Sequence, residues 1–185
     1  MRKILLLLLF PLLANGQAEL NFHGLVPFRV KSVFDGDGFK GEYLTGRADE
    51  VRLLFIDAPE KRGYSTVDQA YGPEAGDSLR EMVKGNIVYL DTLVMRRGGQ
   101  RDPYGRLLAV AYLENATNVN YECVARGWAW PIKVTFTTIP LFNDVLSKAK
   151  RTAKTEKRGL WKGKDPYTPK LHRRNYSIFN LKVRT

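Results

Sequence analysis

Apolar and polar positions alternate over residues 28–34, Phe-Arg-Val-Lys-Ser-Val-Phe, and this period of two predicts a half-buried strand. The Asp35-Gly36-Asp37-Gly38 turn leads into a second strand over 39–44, and a loop over 45–50 leads into a third over 51–56, completing a three-stranded meander. A polar stretch over 61–69 reads as an exposed loop. At Tyr71-Gly72-Pro73-Glu74 the pattern changes to a helix: proline suits the first turn, Glu74 and Asp77 complement the dipole, and Leu79, Met82 and Val83 form one stripe. Residues 86–94 and 106–113 read as a fourth and a fifth strand around a charged loop over 96–104. A short helix over 119–126 and a longer one over 140–157 follow, and Leu160-Trp161 is expected to pack back on the body. Five strands, with a helix between the third and fourth, predict an α+β, mostly β domain: a small, partly open barrel of the OB type with three helices.

The ten residues from Val51 to Glu60, Val-Arg-Leu-Leu-Phe-Ile-Asp-Ala-Pro-Glu, are the centre of that plan. They read as a buried strand with charges at its ends, and buried charges need partners to offset their desolvation. Asp35 and Asp37 upstream, and Arg101-Asp102-Pro103-Tyr104-Gly105-Arg106 downstream, supply candidates. Carboxylates together with arginines suit a hard metal ion beside a phosphate group: the guanidinium fork holds two phosphate oxygens, and aspartates hold the cation. Asp37 and Asp57 are the candidate cation ligands and Glu60 the candidate group to orient or deprotonate a water, against the plainer reading of Glu60 as an exposed loop carboxylate. One spacing resists. Arg52 and Asp57 are five apart, so strict alternation sends them to opposite faces; either the strand bends or ends before Asp57, or they do not share a site.

Charge and composition narrow the classes. The 185 residues carry 44% hydrophobic side chains, enough for one domain with a real core. Residues 1–16 have the pattern of a secretory signal: Arg2 and Lys3, an apolar stretch, then Ala14, Asn15 and Gly16, with cleavage expected after Gly16 or Ala18. Export, to the exterior or a periplasm, is therefore expected, with no membrane span left after signal removal. Loss of that segment removes two of the 30 basic and none of the 19 acidic residues, leaving a net charge of +9 that favours a polyanionic partner. Cys123 is the sole cysteine, so no intrachain disulfide forms; it reads as a core residue rather than a nucleophile. With His23 and His172 far apart, the usual zinc site and histidine-based nuclease chemistry are disfavoured, and a metal here must be held by oxygen. From Lys148 onward thirteen Lys or Arg stand against two acidic residues, and the tail beyond the barrel domain of 26–162, residues 163–185, reads as a solvated, basic end.

The blocks DGDG (35–38), VRLLFIDAPE (51–60), YGPEA (71–75), DPYGR (102–106) and GLW (159–161) occur in the order seen in staphylococcal nuclease, and over about residues 28–162 the chain resembles that thermonuclease family. The resemblance implies an OB barrel that cleaves DNA and RNA with calcium and leaves 3′-phosphate ends. It assigns Asp37 and Asp57 as metal carboxylates, Ala58 as a backbone-carbonyl ligand, Arg52 and Arg106 as phosphate clamps, Glu60 as general base or water-positioning group, and Tyr104 as a nucleotide contact. A monomer is expected. Four departures stand out. Gly38 replaces a threonine, Ala58 a threonine and Pro103 a lysine, and the substrate-stacking aromatics have no clean counterpart; Trp128, Trp130 and Phe136 are substitutes that also read as packing residues. The alternative from another class is a noncatalytic OB-fold nucleic-acid-binding module, against which the retained charged set argues.

Overall fold

The computed structural model describes residues 24–61, 69–92, 101–135, 137–163 and 166–174. The expected signal peptide and Phe136 lie outside the described residues. Strands β1 (Val26–Asp35), β2 (Gly38–Tyr43) and β3 (Ala48–Leu53) form the antiparallel meander, and β5 (Ile87–Asp91) and β6 (Leu107–Tyr112) complete the barrel. The order is β1-β2-β3-β6-β5, closed by antiparallel pairing of β5 with β1 and parallel pairing of β6 with β3. The expected partly open barrel is thus closed. Closure leaves no unpaired strand edge among these five.

Inward positions fill the barrel: Phe28, Val30, Phe39, Val51, Leu53, Val88, Leu90, Ala109 and Ala111 are almost completely buried. Helix α1 (Gly72–Val83) buries Ala75, Leu79, Met82 and Val83 and packs on β1. Helix α2 (Val119–Ala125) starts where the Asn118 side chain accepts the Tyr121 N–H at 2.9 Å, and it packs on α3 (Phe142–Thr155). Buried Asn120 holds α2 to the barrel by accepting the Ala111 N–H at 2.9 Å and donating to the Leu54 carbonyl at 2.8 Å. Cys123 is buried, and burial pushes its thiol up to about 12, as suits a core residue. Beyond α3, a 3-10 turn (Gly159–Lys162) packs Trp161 edge-on against Trp130, with centroids 5.8 Å apart.

Two boundaries differ from the alternation pattern. β3 starts at Ala48, inside the expected loop, because residues 48–50 pair with β2 through backbone bonds that side-chain polarity does not reveal. The run from Val51 is not one strand either. It stops at Leu53, turns through Leu54 and Phe55, and resumes as the two-residue strand β4 (Ile56–Asp57), which pairs with β7 (Trp130–Pro131).

Candidate active site

The first wall of the site is the β1–β2 turn. Register shifts in β1 between Val30 and Ser32, and again between Val33 and Asp35, re-aim the end of the strand, so Asp35 enters the interior. Gly36 lets the turn lie against its neighbours: a Cβ there would come within 2.7 Å of the Ala58 and Ala75 methyls. The Asp37 carbonyl accepts the Leu53 N–H at 2.9 Å, and Gly38 sits opposite Arg52 in the β2–β3 ladder. Backbone pairing alone therefore brings Arg52 to Asp37.

The second wall depends on a break. Phe55 adopts a positive φ of 67°, costly for a side chain with a Cβ, and its ring is held by an edge-on contact with Phe142 at 5.2 Å. The Phe55 carbonyl accepts the Ile132 N–H at 2.8 Å, which fixes the turn against the strand-like Trp130–Pro131 segment. This reversal resets the alternation and puts Asp57 on the side of Arg52. Arg52 Nη1 donates to the carbonyls of Leu53 at 2.8 Å and Ile56 at 3.0 Å, so the guanidinium braces the turn from within. Its Nη2 lies 3.2 Å from Asp37 Oδ2 and 3.2 Å from Asp57 Oδ1. The five-residue spacing is resolved by a strand that ends.

Asp37 Oδ2 also accepts the Ala58 N–H at 2.6 Å, and Asp35 Oδ1 accepts the Asp37 N–H at 3.2 Å. Burial pushes the Asp37 carboxyl well above the usual range, with the Asp35 and Asp57 charges adding to it, against the pull of Arg52 and the Ala58 N–H. Burial likewise raises Asp35, opposed first by Arg52 and then by the Asp37 N–H, with Glu60 pushing up and Arg106 pulling down. Three carboxyls crowd one guanidinium here, and burial works against charge on two of them, Asp35 and Asp37. An all-oxygen set of this kind fits a hard divalent cation such as calcium. Among the described residues no three His, Cys, Asp or Glu side chains are arranged to hold an ion by themselves, so a cation on Asp37 and Asp57 would draw its other ligands from backbone carbonyl and water.

Glu60 lies just past Asp57, its side chain only 13% exposed rather than free in a loop. The residue that fixes it is one the polarity pattern misplaces. Gln69, expected at the end of an exposed loop, is 1% exposed; its Oε1 accepts the Glu60 N–H at 3.2 Å and its own N–H donates to the Glu60 carbonyl at 2.9 Å. A second unexpected partner comes from the tail. Arg173 donates to Asp57 Oδ2 at 3.0 Å and forms an ion pair with Glu60 Oε1. Residues 169–174 are helical and His172 is 2% exposed, so this part of the tail packs on the body instead of being a solvated end. Gln69 and Arg173 are the residues around the site that sequence reasoning left out, and neither carried a signal; Asp35, a candidate from the DGDG block, lies beside Asp37.

Arg106 belongs to the same electrostatic neighbourhood, its charge pulling the Asp35 carboxyl down. Its Nε donates to Asp102 Oδ2 at 2.8 Å, and Asp102 Oδ1 accepts the backbone N–H groups of Tyr104 at 3.0 Å and Arg106 at 2.9 Å. Burial pushes Asp102 up, but these donors and the Arg106 charge outweigh it and leave the carboxyl below its usual value. Tyr104 is 76% exposed, with the Arg106 guanidinium 5.7 Å from its ring centroid. Lys31, Lys40, Tyr104 and Arg106 share an open groove, whose acidic lining residues are Glu42, Asp49 and Glu50. At Gly38 a Cβ would overlap the Phe34 ring, so that ring takes the room a threonine would need. Trp130 is buried in the pair with Trp161, a packing role.

A family model described as staphylococcal nuclease homologue matches residues 50–163, more than half of the chain and the span that carries Arg52, Asp57, Glu60 and Arg106. The chain belongs to the staphylococcal nuclease homologues. Membership makes it a hydrolase of the nuclease class, an endonuclease. It is 36% identical over 146 residues to an "uncharacterized endonuclease" of Escherichia coli O157:H7, an alignment covering 78% of this chain and 83% of that protein. An "uncharacterized endonuclease" of Haemophilus influenzae is 33% identical over 180 residues, covering 96% of this chain and 88% of the relative. Endonuclease YncB of Bacillus subtilis is 30% identical over 139 residues, or 74% and 62% of the two chains.

Proposed function

We propose that this staphylococcal nuclease homologue is an exported, calcium-dependent endonuclease that cuts DNA and RNA with little sequence preference and leaves 3′-phosphate ends. The observation carrying this reading is the meeting of Asp37, Arg52, Asp57 and Glu60 in one cluster, Arg52 bridging Asp37 and Asp57 and Arg173 bridging Asp57 and Glu60. Asp37, Asp57 and the Ala58 carbonyl would hold the ion, which supplies charge for the phosphate oxygens and for the attacking water. Arg52, with Nη1 fixed by the Leu53 and Ile56 carbonyls, would meet a phosphate oxygen by exchanging an Nη2 contact to Asp37 or Asp57. Arg106 exchanges its bond to Asp102 for a second oxygen and so takes up charge as it grows in the transition state. Glu60 accepts a proton from water as the water oxygen bonds to phosphorus; the bond to the 5′-oxygen breaks, and that oxygen takes a proton from solvent. Tyr104, exposed at the groove, offers the strand an aromatic face that does not read bases, which suits low specificity. Export is supported by the N-terminal pattern of residues 1–16, and no described helix is long and apolar enough to cross a membrane.

The test is incubation of the purified mature protein with single-stranded DNA and with RNA, in calcium and in EDTA, with end-labelling of the products. Cleavage of both substrates in calcium alone, with 3′-phosphate termini, is expected. No cleavage in calcium, together with steeply salt-dependent binding, would replace this reading with a noncatalytic binding module.

A further inference from the structure

The C-terminal segment reaches the charged cluster from outside the span matched by the family model, which ends at residue 163. Arg173 forks between two carboxylates there. Nη2 lies 3.0 Å from Asp57 Oδ2, Nη1 lies 3.4 Å from Asp57 Oδ1, and Nη1 also pairs with Glu60 Oε1. Asp57 is therefore held between two guanidiniums, Arg52 on one side and Arg173 on the other. Two neighbouring carboxylates repel each other, and a planar fork spanning both fixes their separation as well as offsetting the repulsion.

The segment that carries Arg173 is tied to the Glu60 backbone itself. Gln69, which bonds both the N–H and the carbonyl of Glu60, donates its Nε2 to the Tyr167 carbonyl at 2.6 Å. Tyr167 stacks on His172 with centroids 5.7 Å apart, its hydroxyl lies 3.2 Å from His172 Nδ1, and the His172 side chain is buried beside Arg173. A buried amide and a buried ring would both lose their surroundings if the segment swung away. This is the anchoring of a fixed part and not of a latch that opens.

We infer that Arg173 is a third arginine of the active site, a positioning residue that sets the Glu60 carboxylate against Asp57, and that Gln69 locks the segment bearing it to the Glu60 backbone. The inference rests on the role given to Glu60 under the proposed function and adds a part of the site that the family match does not span.

Steady-state cleavage of single-stranded DNA by the full mature chain tests it, using Arg173→Ala, Arg173→Lys, Glu60→Gln and the Arg173→Ala/Glu60→Gln double variant at saturating calcium, with Arg173→Ala also measured at limiting calcium. Arg173→Ala is expected to lower kcat about 10- to 100-fold with KM changed less than about threefold, because a misplaced base costs rate and not binding. Arg173→Lys should recover part of the loss by keeping a charge without the fork. In the Glu60→Gln background, Arg173→Ala should change kcat less than about threefold, the non-additivity expected of a residue acting through Glu60. The inference is overturned if Arg173→Ala keeps the full rate, if it costs as much without Glu60 as with it, or if it raises the rate at limiting calcium, which would make the guanidinium a competitor of the ion. Failure of the unaltered chain to cleave at all would sink the nuclease reading first and this one with it; an active parent with an indifferent Arg173→Ala sinks only this one.

Discussion

Arg52 and Arg106 both sit against aspartate, and their surroundings give the two pairs opposite characters. Arg52 faces Asp37 and Asp57 with Asp35 close behind, carboxyls so deeply buried that those of Asp35 and Asp37 rise above their usual values. The Arg106 pair is balanced: one carboxylate receives one guanidinium and two backbone N–H groups, and Asp102 falls below its usual value. In the first cluster burial works against charge on the carboxyls, whereas in the second the donors around Asp102 hold it as a charged partner of Arg106. The same residue types thus build one cluster in which burial outweighs the partners and one in which the partners outweigh burial.

The sharpest test of this contrast is Arg52→Ala. It should cost on the order of 10³-fold in cleavage rate and about 3 to 5 kcal/mol in stability without divalent ions, because it leaves carboxylates buried and also unbraces the turn at Phe55. Single-turnover cleavage and urea unfolding measure the two. Arg106→Ala should lose about 10²- to 10³-fold in rate yet only about 1 kcal/mol in stability, since Asp102 keeps its two backbone donors. Equal destabilisation by the two substitutions would break the contrast.

Next in size is the response of the buried carboxyls to calcium and pH. Because Asp35 and Asp37 titrate higher folded than unfolded, the folded chain keeps protons that the unfolded chain has released, so stability without calcium should fall as pH rises from 3.8 through the raised values. Calcium at about 100 times its dissociation constant should restore about 2.7 kcal/mol at pH 7 and less at pH 5, as read by thermal unfolding. The smallest effect belongs to a pair on the barrel surface. Arg101 lies 2.6 Å from Asp49 Oδ2 and holds that carboxyl down to about 2. Its contribution is present above 3.8, fades as pH falls through about 2, and after solvent screening is about 1 kcal/mol, the loss expected in Asp49→Asn at pH 7 and absent near pH 2.

The barrel was legible because its strands alternate and its first helix opens on Pro73; both signals are local. Asp37, Arg52, Asp57 and Glu60 could be named through their matching blocks, but their meeting could not be read from spacing. The reversal at Phe55 carries neither glycine nor proline, and is imposed by the Phe142 ring and by pairing with Trp130–Pro131, more than seventy residues away in the chain. Gln69 was hidden for a related reason: a polar residue between polar neighbours looks solvated until its backbone partners at Glu60 and Tyr167 are seen. Arg173 is one of thirteen basic residues from Lys148 onward, and charge density cannot single out the one that meets a carboxylate.

The parallel seam between β3 and β6 joins segments more than fifty residues apart, Val51 opposite Leu107 and Arg52 opposite Leu108. Such a seam has a large loop-closure cost and tends to form late when the chain refolds. That seam sets Leu107 and Leu108, and with them Arg106, beside β3, so a refolding population with its meander and helices but without the seam should still be inert. Recovery of cutting power should then follow the slowest kinetic phase, trailing the return of secondary structure.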